Sequence, residues 1–134
     1  MKTLKLENKL TFKQFLPAII WFIVVMVIIC MPKQDLPDMT DWFHRIYFDK
    51  WVHAGMFGLL TLLTIFPFHK VYGNRKKLLT LIVTIASATS CWGFVTECIQ
   101  LYVPGRSFDL LDWAADSFGV LLAALFYIIK KELF

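Results

Sequence analysis

Four apolar blocks, at residues 15–31, 51–68, 78–103 and 113–129, take up most of this chain. Each is close to or above the roughly 17–25 apolar residues that cross a bilayer as a helix. In hydrocarbon, every backbone N–H and C=O must be satisfied within the protein, which leaves helices as the solution for blocks of this kind. Composition agrees: 58% of the 134 residues are hydrophobic, with 13 Phe and 5 Trp, and mean hydropathy is +0.62. A soluble domain of this length has no interior large enough to hide that surface. The expected fold is an all-α membrane protein, a four-transmembrane-helix bundle over residues 15–130, with a short lead at 1–14 and a tail at 131–134. The first block follows a lysine-rich start. It exceeds the roughly 7–15-residue core of a signal peptide. No small-x-small cleavage site follows at Cys30-Met-Pro-Lys, so it reads as a retained helix.

Net charge is +4, but placement carries more information than the total. Lys2, Lys5, Lys9 and Lys13 precede block 1; Lys70, Arg75, Lys76 and Lys77 lie between blocks 2 and 3; Lys130 and Lys131 follow block 4. The other two connections hold Lys33, Arg45, Lys50 and Arg106, diluted by Asp35, Asp38, Asp41, Asp49, Asp109 and Asp112. The positive-inside rule then places both termini in the cytoplasm. The basic ends read as topology signals and contacts with anionic lipid, not as nucleic-acid sites. Cys30, Cys91 and Cys98 fall in spanning segments without CxxC or metal-finger spacing; Cys91 and Cys98 share a helix face and read as small packing residues.

Punctuation fits this plan. Pro17 falls in the first turn of helix 1, where a missing N–H does no harm. Pro32 and Pro37 start the larger outer connection extended, and Trp42, Phe43, Ile46 and Tyr47 recur at helical spacing, as in a short interfacial helix. Pro67 ends helix 2, Gly73-Asn74 marks a tight turn, and Pro104-Gly105 breaks the chain after helix 3. Helix 3, at 26 residues, is about 39 Å long and must tilt or project from the bilayer.

The functional signal is polar. Ala86, Ser90, Gly93, Glu97 and Gln100 follow one another at spacings of 4, 3, 4 and 3, which is one seam of a helix. Asp112, Asp116, Gly119 and Ala123 form a second seam on helix 4. Small residues let membrane helices approach closely, so helices 3 and 4 are expected to pack along these seams. Helix 2 adds Asp49-Lys50-x-x-His53 at its start. The expected topology brings all of these to one membrane face, where ionisable groups cost several kcal/mol unless paired or hydrated.

Taken together, Asp49-Lys50-x-x-His53, Gly93-x-x-x-Glu97-x-x-Gln100 and Pro104-x-Arg106-x-x-Asp109-x-x-Asp112-x-x-x-Asp116-x-x-Gly119 resemble the VanZ-like family over about residues 49–125. That resemblance implies a small bacterial cytoplasmic (inner) membrane protein, multi-pass, of the cell envelope. It also implies a link to low-level resistance to the glycopeptide teicoplanin. The family supplies positions and no catalytic roles. One departure is Asp116, where many relatives carry an amide.

Each polar residue has a structural and a functional reading. Arg106 either staples its loop to a carboxylate and caps helix 4, or grips an anion with its planar fork. Glu97 either locks the bundle by hydrogen bonding to His53 or Gln100, or serves as a general base or metal ligand. His53 is a structural histidine, a proton carrier or a metal ligand. The catalytic candidates are Glu97, His53 and Asp116. The candidate ligands of a divalent metal are His53, Glu97, Asp112 and Asp116. The ligand-binding set is Lys50, His53, Glu97, Gln100, Arg106, Asp109, Asp112 and Asp116. Gln100 reads as orienting a neighbour, Lys50 as pairing with Asp49 or headgroups, and Trp42, Trp51 and Trp113 as an aromatic belt. Trp92, deeper in its helix, reads as packing, and His44 and His69 as interfacial or loop residues.

Three functions fit. The leading one is an outward-facing pocket that binds an anionic lipid headgroup or lipid-linked envelope precursor. The second is metal- or acid/base-assisted hydrolysis or transfer on a lipid-linked substrate. The third is a structural or partner-binding membrane protein. Membrane lipids are the expected partners, nucleic acid is not, and oligomerisation stays open.

Overall fold

The structure, a computed structural model, describes residues 10–35, 47–70 and 74–133. Within them lie four helices long and apolar enough to cross a membrane. Helix α1 spans Leu16–Ile29 after a 3-10 turn at Phe12–Phe15, with Pro17 in its first turn. Helix α2 spans Phe48–Ile65 and continues as a 3-10 turn, Phe66–Lys70, around Pro67. Helix α3 spans Arg75–Gln100, and α4 spans Leu110–Leu133. The interfacial helix expected around Trp42, Phe43 and Ile46, the lead at 1–9, the Gly73 turn, His44 and the side chain of His69 lie outside the described residues.

Helix ends differ from the apolar blocks because polar residues are recruited into them. Asn74 caps α3, its side chain accepting from the N–H groups of Lys76 (2.9 Å) and Lys77 (3.3 Å). The basic first turn of α3 thus lies outside its apolar block. Asp109 caps α4, its Oδ1 accepting from the Leu111 N–H at 2.8 Å, so the helix begins three residues before Trp113. The α3–α4 connection turns at Val103–Arg106, where the Arg106 N–H donates to the Val103 carbonyl at 3.1 Å. Gly105 takes φ +74° there; Pro followed by a left-handed Gly is the pattern of a type II turn.

Consecutive helices run antiparallel. At one end Phe15 meets Phe68 edge to face, and Ile65, Leu78, Ile82, Ala124 and Tyr127 form one core cluster. Towards the other end Val25, Ile29, Met56, Phe57 and Val120 form a second. Helix α1 is the least enclosed. The Trp21 indole N–H donates to the Met56 carbonyl at 2.9 Å, while Ile20, Ile23 and Val27 are exposed, as lipid-facing residues would be.

The tightest packing joins α2 to α4, not α3 to α4. A Cβ on Gly119 would collide with the backbone of Ala54, and one on Gly58 would lie 3.0 Å from the Gly119 carbonyl. The helix-4 seam therefore divides. Gly119 faces α2, while Asp116 sits against Gly93 of α3 and reaches His53 of α2. Contact between α3 and α4 instead runs through a 2.7 Å Ser90–Ser117 hydroxyl pair and the Trp113 indole, which donates to the Ser90 carbonyl at 3.0 Å.

Gly119→Ala must force α2 and α4 apart, so thermal unfolding in detergent should show a loss of about 1–3 kcal/mol, the cost of overpacking. Gly55, also on α2, has nothing within 4 Å of its missing Cβ, and Gly55→Ala should leave stability unchanged or slightly raised.

Candidate functional site

The polar residues gather at the end of the bundle where α2 and α4 begin and α3 finishes. Lys50 lies in the first turn of α2. Its Nζ is 2.5 Å from Asp112 Oδ1, 2.6 Å from Asp109 Oδ2 and 3.2 Å from Asp49 Oδ2. The ammonium is mostly covered, Asp112 likewise, and Asp49 and Asp109 remain open. Three carboxylates on one cation leave it no spare valence for another anion. Asp109 and Asp112 also sit at the start of α4, where negative charge meets free N–H groups and the positive end of the helix dipole.

One turn deeper is a second layer. His53 lies about 7–8 Å along α2 from Phe48 and Asp116 about 9 Å along α4 from Leu110. His53 Nδ1 is 3.0 Å from Asp116 Oδ1, and Nε2 is 3.9 Å from Asp112 Oδ2. In the neutral ring this geometry assigns the proton to Nδ1, donated to Asp116, and leaves Nε2 with its lone pair. From α3, Glu97 Oε2 accepts the backbone N–H of Asp109 at 3.0 Å. Glu97 and Asp116 are completely buried, yet Glu97 Oε1 and Asp116 Oδ2 have no hydrogen-bond partner among the described residues. Ligand atoms of His53, Glu97 and Asp116 lie within 4.8 Å of one another.

Gly93 makes room for this layer. A Cβ there would stand 3.0 Å from Asp116 Oδ2 and 3.2 Å from Asp116 Cβ. The seam predicts that Gly93 serves helix contact; its space is filled by the Asp116 carboxylate.

Of the sequence-expected site residues, Lys50, His53, Glu97, Asp109, Asp112 and Asp116 come together. Two do not join them. Gln100 is buried one turn beyond Glu97 but bonds to neither Glu97 nor His53. Arg106 forms no ion pair among the described residues; its Nε makes a long 3.4 Å contact with the Met31 carbonyl, beside a 3.3 Å hydrogen bond from the Lys33 N–H to the Pro104 carbonyl. The turn at Pro104-Gly105 aims Arg106 at the end of α1, so the expected staple to a carboxylate is absent. The expected Glu97 bond to His53 or Gln100 is replaced by one to the Asp109 backbone. Asp49, left out of the sequence-based set, completes the Lys50 cage. Trp51 is exposed as a belt residue would be, but Trp113 is turned inward, stacked edge to face on Phe94. Trp92 packs against the second core cluster and the Phe22 ring, as expected. Cys91 is exposed instead of packed.

The family model VanZ/LLP1 matches residues 11–131, nearly the whole chain. The chain belongs to the VanZ/LLP1 family. No curated protein and no solved structure matches it. The match reaches beyond the polar motifs at 49–125 to include α1 and the end of α4. In this VanZ/LLP1 protein the match covers all four helices, not the polar segment alone.

Asp109 lies just outside the span of α4, and the hydrogen bond from Lys50 holds its carboxyl below the ordinary aspartate value. A depressed value in the folded state stabilises the fold at pH above the unfolded aspartate pKa. That stabilisation is lost as pH falls through the folded value. Asp109→Asn keeps the cap oxygen and loses this acid sensitivity. Asp109→Ala loses the cap as well and should cost about 1 kcal/mol more. Thermal unfolding in detergent between neutral and acid pH separates the two.

Proposed function

We propose that this VanZ/LLP1 protein is a cell-envelope protein of the bacterial cytoplasmic membrane. Its buried polar layer at the outer face receives the polar head of an envelope lipid or lipid-linked precursor. The observation that carries this reading is the pair of fully buried carboxylate oxygens, Glu97 Oε1 and Asp116 Oδ2, unpartnered among the described residues and about one to two helical turns below the helix ends. Buried acceptors without partners are rare and costly, and a site built to be filled is a physical reason to keep them. Both termini on the cytoplasmic side, from the distribution of Lys and Arg, would put this end of the bundle at the outer leaflet.

Charge decides which group would hold an anionic head. Lys50 is neutralised by its three aspartates. Arg106, on the connection between α3 and α4 and free of ion pairs among the described residues, is a cation available for a phosphate or carboxylate. Native mass spectrometry with phosphatidylglycerol tests this. Arg106→Ala should weaken retention by about tenfold, the worth of one charge-assisted contact. Lys50→Ala should act mainly by lowering stability. Unchanged lipid retention in both Arg106→Ala and Glu97→Gln would remove the reading. The resistance implied by family resemblance has its own test. Expression in a teicoplanin-susceptible bacterium should raise survival, and Glu97→Gln should abolish the gain; equal survival with an empty vector counts against it.

A second reading, acid/base-assisted hydrolysis or transfer on the same lipid-linked substrate, is favoured by one specific contact. The His53–Asp116 hydrogen bond orients the imidazole as a base is oriented in hydrolytic sites, with Nε2 left to take a proton. Water or a substrate hydroxyl would be the nucleophile. In this reading product formation from a radiolabelled lipid-linked precursor falls at least a hundredfold in His53→Gln, the usual scale of general-base loss.

A further inference from the structure

We infer that His53, Glu97 and Asp116 form a divalent-cation site within the bundle. It deepens the pocket reading by naming what fills the buried layer, but its tests do not depend on any lipid. The three residues come one each from α2, α3 and α4, and their ligand atoms already lie within 4.8 Å of one another. A first coordination sphere with bonds of about 2.0–2.2 Å separates neighbouring ligands by about 3–3.5 Å, so a modest inward movement of side chains completes it.

Three independent features point to a cation. First, Glu97 Oε1 and Asp116 Oδ2 are buried with no partner among the described residues, and each belongs to a residue with 0% exposure. Second, each carboxylate is fixed through its other oxygen. Glu97 Oε2 takes the Asp109 N–H at 3.0 Å, and Asp116 Oδ1 takes His53 at 3.0 Å. Such anchoring by neighbours is how metal ligands are oriented. Third, no lysine or arginine among the described residues pairs with either carboxyl group. Lys50 stands nearby but is satisfied by Asp49, Asp109 and Asp112, leaving two carboxylates against one imidazole in a low-dielectric interior. Gly93 lets the Asp116 carboxylate sit against α3, since a Cβ there would lie 3.0 Å from Asp116 Oδ2.

The donor set selects the class of ion. One imidazole with two carboxylates suits zinc or manganese. Three protein ligands also leave coordination positions open, for water or for an oxygen of the lipid head. A dication at this depth would let an otherwise acidic layer accept an anionic group.

The experiment uses the full-length protein in detergent, stripped with chelator and titrated separately with Zn²⁺ and Mn²⁺. Elemental analysis after desalting and loss of the aqueous Mn²⁺ paramagnetic-resonance signal give two readouts. The expected result is saturation at one ion per chain, with a raised melting temperature. Glu97→Gln and Asp116→Asn should each weaken binding by at least about tenfold, and Asp35→Asn, on an exposed turn, should leave it unchanged. If these variants fail to fold, the wild-type protein labelled with ¹⁵N-histidine replaces them: Zn²⁺ should shift one imidazole, assigned to His53. No uptake by the wild type, equal uptake by folded Glu97→Gln and Asp116→Asn, or an unshifted His53 overturns the site. Arg106→Ala should bind the ion as the wild type does. Lost lipid retention with intact ion binding separates the fate of this site from that of the lipid reading.

Discussion

The backbone of α4 at Gly119 rests directly on the backbone of α2 at Ala54, and the rest of the structure depends on that contact. In a bilayer, apolar side chains gain little by leaving lipid for a helix partner, so close backbone packing supplies much of the association. Gly58 and Gly119 meet where neither helix has a side chain to hold the other away. The approach carries the first turns of α2 and α4 together and sets Lys50 beside Asp109 and Asp112, and His53 beside Asp116. A bulkier interface would leave these groups too far apart to compensate one another.

The polar end has two layers with different balances. The shallower one, around Lys50, satisfies itself: one ammonium, three carboxylates, and a helix start that welcomes negative charge. The deeper one does not. His53, Glu97 and Asp116 carry more acceptors than the described residues supply donors, and Gly93 on α3 lets the Asp116 carboxylate sit there. Removing one partner from such a buried group costs several kcal/mol, whereas a well-packed apolar substitute would cost little. That imbalance makes the deeper layer the part of the molecule whose residues are best explained by something they bind.

Much of this was legible in the chain. The four apolar blocks announced four helices because hydrocarbon permits few alternatives. The spacing of Glu97, of Asp112 and Asp116, and of Lys50 and His53 announced one polar end, because helical periodicity fixes which residues share a face. Pro104-Gly105 announced the turn. What sequence reading mistook was direction around the helix axis. Gly119 and Asp116 lie on one seam, but a seam is wide enough to touch two neighbours, and here it divides between α2 and α3. The staple expected of Arg106 is absent for a similar reason. Its loop neighbours Asp109 and Asp112 were close in sequence, yet a left-handed Gly105 turns the side chain towards Met31 instead.

By itself the sequence determined the solvent, the number of helices and the inventory of polar groups at one end, since each follows from local composition and a period of 3.6 residues. Only the tertiary structure decided the partners. Glu97 pairs with the Asp109 backbone and not with His53, Lys50 is enclosed by three aspartates, and two carboxylate oxygens are left over. The reason is geometric: pairing across helices depends on their rotation and separation, which are set by where the backbones can touch, at Ala54, Gly58 and Gly119.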